Sequence, residues 1–246
     1  MRVRRSLLLS VLFVMPACNV VVLADDTEAS TSEGVMSTTT IDVPTGGGSD
    51  VGEVVIAEAG PIEVQVGEII NVSAVVTGAE GEALPAAVVT WSSSQELALY
   101  VDGAGALLGV SPGVAELRAH SDEVDSAPVI IKVVAHTPAA ATFTQVRAVT
   151  DARCAVAGCH VDGVEPGDLR FDRDVDKLWE ELVEESEEVD ELRRVEPGAP
   201  EASYVVQKLV QRAPASGAQM PIGGAPMPAT EVQTIVRWIL AGAPND

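Results

Sequence analysis

At residues 136–141 the hydrophobic period of this chain changes from two to near 3.6, and neither a sheet nor a helix bundle alone satisfies both periods. Upstream, short β-branched runs recur between turn residues: Ile62 to Val66, Ile69 to Thr77, Ala87 to Trp91, Gly113 to Ala119 and Val129 to Val134. Ile62, Val64 and Val66 alternate with Glu63 and Gln65, the pattern of a half-buried strand, while Pro61, Gly67, Gly78, Pro85, Gly103, Gly105 and Pro112 punctuate the runs. Many short strands with regular turns predict an antiparallel sandwich. Downstream, Phe143, Val146 and Val149 share one helical face, and a second helix is expected from about Val175 to Glu187. A third should start near Pro200 and run through Tyr204, Val205 and Leu209. The last is the clearest, with Thr230-x-x-Gln233 as a capping box, an apolar stripe of Val232, Ile235, Val236 and Ile239, and a stop at Gly242 and Pro244. The expected fold class is multidomain: an all-β sandwich over 53–135, the linker His136 to Ala141, and a small all-α domain over 141–246.

Arg2, Arg4 and Arg5 precede the apolar run Ser6 to Met15, which is short for a bilayer span and reads as an export signal over 1–24. Two processing sites compete. Met15-Pro16-Ala17-Cys18 resembles a lipoprotein box, which would make Cys18 the lipidated first residue and attach the chain to a membrane through that lipid. Val22-Leu23-Ala24 instead offers ordinary cleavage before Asp25. Residues 25–52 are rich in Thr, Ser, Gly and acids and read as a disordered tether. The chain is therefore expected to be exported, as a periplasmic, outer-membrane or cell-surface lipoprotein. A formal charge of −22 makes nucleic acid and anionic lipid poor partners and allows a basic protein partner, although acidity alone mostly signals solubility.

Val66-Gly67-Glu68, Val89-Thr90-Trp91-Ser92-Ser93-Ser94, Val101-Asp102-Gly103 and Gly109-Val110-Ser111-Pro112-Gly113 occur in the order found in bacterial Ig-like domains of surface and intimin-type proteins, which this segment resembles. The resemblance implies an Ig-like β-sandwich with Trp91 plugging the space between the sheets. Such modules serve as spacers, adhesins or carbohydrate-associated units, and a spacer is the simplest expectation here.

Cys154-Ala-Val-Ala-Gly-Cys159-His160 carries the chemistry. Two thiols followed by an imidazole form the arrangement that attaches a c-type haem, here with four residues between the cysteines where two are usual. Ala155, Val156, Ala157 and Gly158 are small and uncharged, so the extra residues can loop outward. Under oxidising export conditions the two thiols are otherwise expected to join in a disulfide. A zinc site would need a distant fourth ligand. Among methionines beyond the tether, Met220 and Met227 both precede proline, which biases them to extended loop backbone. Aromatics form 3% of the chain, yet Phe143, Phe171, Trp179, Tyr204 and Trp238 all lie after residue 140, where a flat macrocycle or an ordinary core would use them.

Cys154, Gly158, Cys159, His160, Pro197-Gly198-x-Pro200-x-x-Ser203-Tyr204, Met220-Pro221 and Arg237-Trp238-Ile239-x-Ala241-Gly242-Ala243 together resemble class I-like c-type cytochrome domains of exported bacterial proteins with a C-x4-C-H motif. The resemblance spans nearly all of 141–246. It implies one covalent haem c, held by Cys154 and Cys159, with His160 and Met220 as its iron ligands. Met227 is expected to pack on the final helix.

The expected function is single-electron transfer by a monohaem cytochrome displayed on an Ig-like spacer, an electron carrier and not an enzyme. An accessory haem domain of an oxidoreductase is a variant of this. The alternative is a surface binding or adhesion protein whose C-terminal domain is haem-free and disulfide-bonded. Acidic residues between Asp172 and Glu191 offer a docking face for a basic redox partner, or simply a solvated face. Asp172-x-Asp174-x-Asp176 hints at calcium but lacks the glycine and glutamate of an EF-hand loop. Arg237 is a candidate for pairing with a haem propionate, and no nucleophilic triad stands out.

Overall fold

The computed structural model describes residues 51–161, 167, 169–186, 189–190 and 192–246. The export signal, Cys18 and the tether up to residue 50 lie outside them, as do Glu187, Glu188 and Glu191 of the acidic stretch. Strands β1 (Val51–Ile56), β2 (Ile62–Gln65), β3 (Ile69–Asn71), β4 (Ala74–Gly78), β5 (Thr90–Ser93), β6 (Leu99–Val101), β7 (Ala106–Gly109), β8 (Gly113–Ser121), β9 (Val124–Asp125) and β10 (Val129–Val134) come first. Helices α1 (Phe143–Arg153), α2 (Val175–Val183), α3 (Tyr204–Val210) and α4 (Ala229–Leu240) follow. No described helix is long and apolar enough to cross a membrane.

The strands form a mostly antiparallel sandwich. One sheet runs β2-β10-β8-β5 with β9 on β8, β1 pairs with β4, and a third sheet runs β3-β7-β6. The β2–β10 pair is parallel, a departure from the all-antiparallel expectation. Alternation sets the register: along β8 Ala115, Leu117 and Ala119 point inward, and along β10 Ile131 and Val133 do so. Trp91 on β5 is 6% exposed within the sandwich core. The tether ends earlier than expected, because Val51 already belongs to β1.

The expected single strand from Ile69 to Thr77 is two. Ile69–Asn71 pairs with β7 and Ala74–Gly78 with β1, so the chain changes sheets at Val72 and Ser73. That corner is held from outside the ladders: Val72 donates to the Gly105 carbonyl at 3.0 Å, and Ser73 donates to Glu58 through both its amide (3.0 Å) and hydroxyl (3.1 Å).

The helical region opens on Thr142, whose hydroxyl caps Gln145 N–H while Gln145 caps Thr142 N–H, a capping box that the sequence reading passed over. Phe143 stacks on Trp238 of α4 with ring centroids 5.3 Å apart. Helix α2 stops at Val183, before the expected end at Glu187. The expected third helix is broken: Pro200–Ala202 forms a 3-10 turn before α3 begins. The predicted capping box of the last helix is corrected, since α4 starts at Ala229 with no cap from its own flank. Gln233 instead donates to the Gly67 carbonyl at 2.9 Å, and the Ala229 amide is capped by Asp102 of the sandwich at 2.9 Å.

The two regions therefore do more than share a linker. Leu99 and Leu107 belong to the sandwich core, while their neighbours Tyr100 and Leu108, with Val110, belong to the core that holds all four helices. Removing a side chain from that wall should loosen both regions together. Leu108→Ala at this fully buried position is expected to cost about 2–5 kcal/mol. In urea titration followed separately by sandwich and helix probes, the two transitions should shift together; a shift confined to the helices would count against a common core.

Candidate cofactor site

Helix α1 delivers Cys154 as its last capped residue, the Cys154 amide donating to the Thr150 carbonyl at 2.8 Å. Arg153 clamps the helix end to α4 through a two-pronged pair with Glu231, at 2.8 and 2.7 Å. The next residues fold back on themselves: Cys159 N–H donates to Val156 O at 3.0 Å, and His160 N–H closes the loop onto Cys154 O at 3.2 Å. Gly158 takes φ +83°, a left-handed value suited to glycine. The four intervening residues are thus absorbed in a hydrogen-bonded turn.

Cys154, Cys159, His160, Met220 and Met227 all line one cavity of about 270 Å³, with Phe171 and Tyr204. His160 Nδ1–H donates to the Leu169 carbonyl at 2.8 Å, which puts the lone pair of the neutral ring on Nε2. Phe171 meets that imidazole edge-on at 5.4 Å between centroids. Met220 is half-buried, whereas Met227 is 2% exposed and packs in the helical core. Of the other late aromatics, Phe143 and Trp238 serve the core.

Cys154 is a free thiol, so it is not joined to Cys159; Cys159 is buried and is not a free thiol. Burial, with a smaller push from the Glu231 carboxylate, raises the Cys154 pKa to about 12. Among the described residues no three His, Cys, Asp or Glu side chains gather into a metal-binding group. The groups lining the cavity are two cysteine sulfurs, one imidazole and two thioethers, a soft set suited to an iron porphyrin and unsuited to a hard cation.

Sequence reasoning missed the cations. Arg153, Arg194 and Lys208 line this cavity in a chain of net charge −22. Arg194 is 5% exposed and donates to the carbonyls of Glu181 (3.0 Å) and Gly167 (3.1 Å). Nothing in the Arg193-Arg194 pair distinguishes the buried one, because its short contacts are to backbone atoms of other segments, with the Glu184 carboxylate at 3.9 Å. Arg237, the expected propionate partner, lies elsewhere: it donates to Gly67 O at 2.8 Å and pairs with Glu68 at 2.8 Å. The three aspartates of the calcium-like run are used locally, Asp172 by Arg170, Asp174 as the α2 cap and Asp176 by Asn245.

A hydrogen-bonded series does occur on the sandwich, contrary to the reading that no triad stands out. Ser92 Oγ meets His120 Nε2 at 2.5 Å, and His120 Nδ1 meets Asp125 Oδ1 at 2.6 Å. Asp125 is 62% exposed, so water screens the interaction that would have to stabilise an imidazolium. The series acts as a strut across β5, β8 and β9.

No protein-family model matches the sequence, and no curated protein matches it. Several solved structures are similar over part of the chain. Domains 4 and 5 of the S-layer protein SbsC are 16% identical, covering 34% of this chain and 52% of that one, with a TM-score of 0.30. The Yersinia pseudotuberculosis adhesin InvE is 17% identical, covering 37% of this chain and 29% of that one, TM-score 0.27. A bacterial Ig-like-domain-containing GH10 xylanase from termite gut is 11% identical, covering 38% and 23%, TM-score 0.23. The chain thus spans about half or less of each structure. Likenesses of this size decide nothing about function, and the sandwich rests on its own strand pairing.

The raised Cys154 pKa has a direct readout. Alkylation of Cys154 by iodoacetamide should keep rising about tenfold per pH unit from about pH 8 to about pH 10, where an ordinary thiol levels off. A plateau near pH 9 in peptide mass spectrometry would show that the sulfur is not desolvated.

Proposed function

We propose that this chain is an exported monohaem c-type cytochrome that carries single electrons, with the helical region as its cytochrome-like domain. Cys154 and Cys159 would hold the haem, and His160 and Met220 would ligate its iron. The observation that carries this reading is the convergence of those four side chains, from the turn after α1 and the α3–α4 loop, on one cavity. Further support comes from the Leu169 carbonyl, which fixes the His160 tautomer with Nε2 as the ligating nitrogen. The Met227 side chain is packed in the core, which favours half-buried Met220 as the ligand.

A haem with His and Met ligands supplies a one-electron couple of relatively high potential and no open coordination position, which suits a carrier and not a catalyst. The chain's own residues do the rest. Phe171 and Tyr204 wall the cavity against water, and Lys208, with Arg153 and Arg194 in their pairs with Glu231 and Glu184, brings basic groups to its lining. Both sulfurs must be reduced when the haem is loaded. The export signal and lipid on Cys18 place the carrier in the periplasm, on the outer membrane or at the cell surface.

The partner is a basic redox protein. Part of the acidic stretch is neutralised internally, Asp172 by Arg170 at 2.9 Å and Glu181 by Arg173 at 2.7 Å. Glu184 pairs with Arg194 at 3.9 Å, and exposed Glu180 and Glu185 remain to steer an encounter that weakens as salt rises.

Protein produced with a c-type maturation system should keep its haem through denaturing electrophoresis, and Cys159→Ser should lose that staining. Met220→Ala should keep the stain but change the oxidised spectrum and lower the midpoint potential. Colourless wild-type protein would defeat the reading and leave a haem-free surface protein.

A further inference from the structure

The loop between α3 and α4 borders two cavities at once. Met220, Pro221, Ile222 and Met227 line the cavity that holds Cys154 and His160. Gln219 and Pro226 line another, also of about 270 Å³, against Trp91, Tyr100 and Asp102 of the sandwich. The near end of the loop is tied to α3, with Met220 N–H donating to Lys208 O at 2.7 Å and Gln219 Nε2 to Leu209 O at 2.9 Å.

The far end is tied to the sandwich. Tyr100 on β6 is 2% exposed and donates its hydroxyl to the Met227 carbonyl at 2.5 Å. A buried phenol needs a partner, and this one finds it in the loop. Burial, and to a lesser degree the neighbouring Asp102 carboxylate, raises the Tyr100 pKa, so the hydroxyl remains a donor. Asp102 works with both oxygens. Oδ1 accepts from the amides of Ala104 (2.9 Å) and Ala106 (3.0 Å), which fixes the carboxylate on the β6–β7 hairpin. Oδ2 then accepts from the Ala229 amide at 2.9 Å and starts α4 two residues after Met227.

We propose that Tyr100 and Asp102 are positioning residues, through which the sandwich holds the Met220–Met227 loop over the cavity and so places Met220, which would ligate the haem iron. The sandwich is then part of the redox site and not a spacer. The redox consequence rests on the haem reading above; the restraint on the loop rests on the hydrogen bonds alone.

The test uses the full chain in two forms. In protein made without haem maturation, brief hydrogen peroxide treatment and peptide mass spectrometry follow oxidation of Met227 and Met220 to sulfoxides. Met227 should be protected in wild type, and Tyr100→Phe and Asp102→Asn should each speed its oxidation about fivefold, the scale of one lost hydrogen bond. In matured protein the same variants should keep full haem staining yet weaken the sulfur-to-iron absorption band and lower the midpoint potential. Leu108→Ala, which weakens the shared wall without touching either hydrogen bond, should leave that band intact below its unfolding transition.

Unchanged Met227 oxidation in both variants would overturn the proposal, as would a band lost equally in Leu108→Ala. If matured wild type is colourless, the haem reading and the redox consequence fall together. The peroxide arm then still decides whether the sandwich restrains the loop.

Discussion

In β6 and β7 consecutive side chains enter different cores, Leu99 and Leu107 facing the sandwich while Tyr100 and Leu108 face the helices. A strand normally gives one face to water, and here neither face has it. Each buried leucine contributes about 1.5–3 kcal/mol, so the wall stabilises both regions at once. The polar contacts that cross the boundary add direction to this attraction. Tyr100 finds Met227, Asp102 starts α4, and Arg237 reaches Gly67 and Glu68. Each is a group that would otherwise be left unsatisfied in a buried or half-buried place.

The candidate site meets this wall at Met227, whose carbonyl accepts the Tyr100 hydroxyl. Its sulfurs and imidazole come from one turn after α1, closed by the His160–Cys154 backbone bond. Its methionines come from a loop anchored at one end by α3 and at the other by β6. Three cations line this cavity in an acidic chain, Arg153 paired with Glu231 and Arg194 with Glu184.

Much of the sandwich could be read from alternation. Val129–Val134 was legible to the residue as a β-branched run, and the structure adds that Ile131 and Val133 face in while Ile130 and Lys132 face out. β6 and β7 were missed for the opposite reason: buried on both faces, they carry no alternation, and Gly103 and Gly105 drew attention to the turn between them. The same logic explains the caps. Thr230-x-x-Gln233 has the letters of a capping box, but the acceptor that captures Gln233 is Gly67, far away in sequence. Arg194 and the Leu169 carbonyl were invisible because backbone atoms carry no sequence signature.

The sequence by itself determined which chemistry is available: two late sulfurs, the adjacent imidazole, a proline-flanked methionine and the change of period that divides strands from helices. Those are properties of residue type and local spacing, set by side-chain chemistry and backbone sterics. Tertiary structure decided which of them meet, which thiol is desolvated, which arginine is buried and which strand the helices lean on. Those outcomes depend on contacts between separate segments, 27 residues apart for Arg194 with Gly167 and 127 for Asp102 with Ala229, and packing alone brings such pairs together.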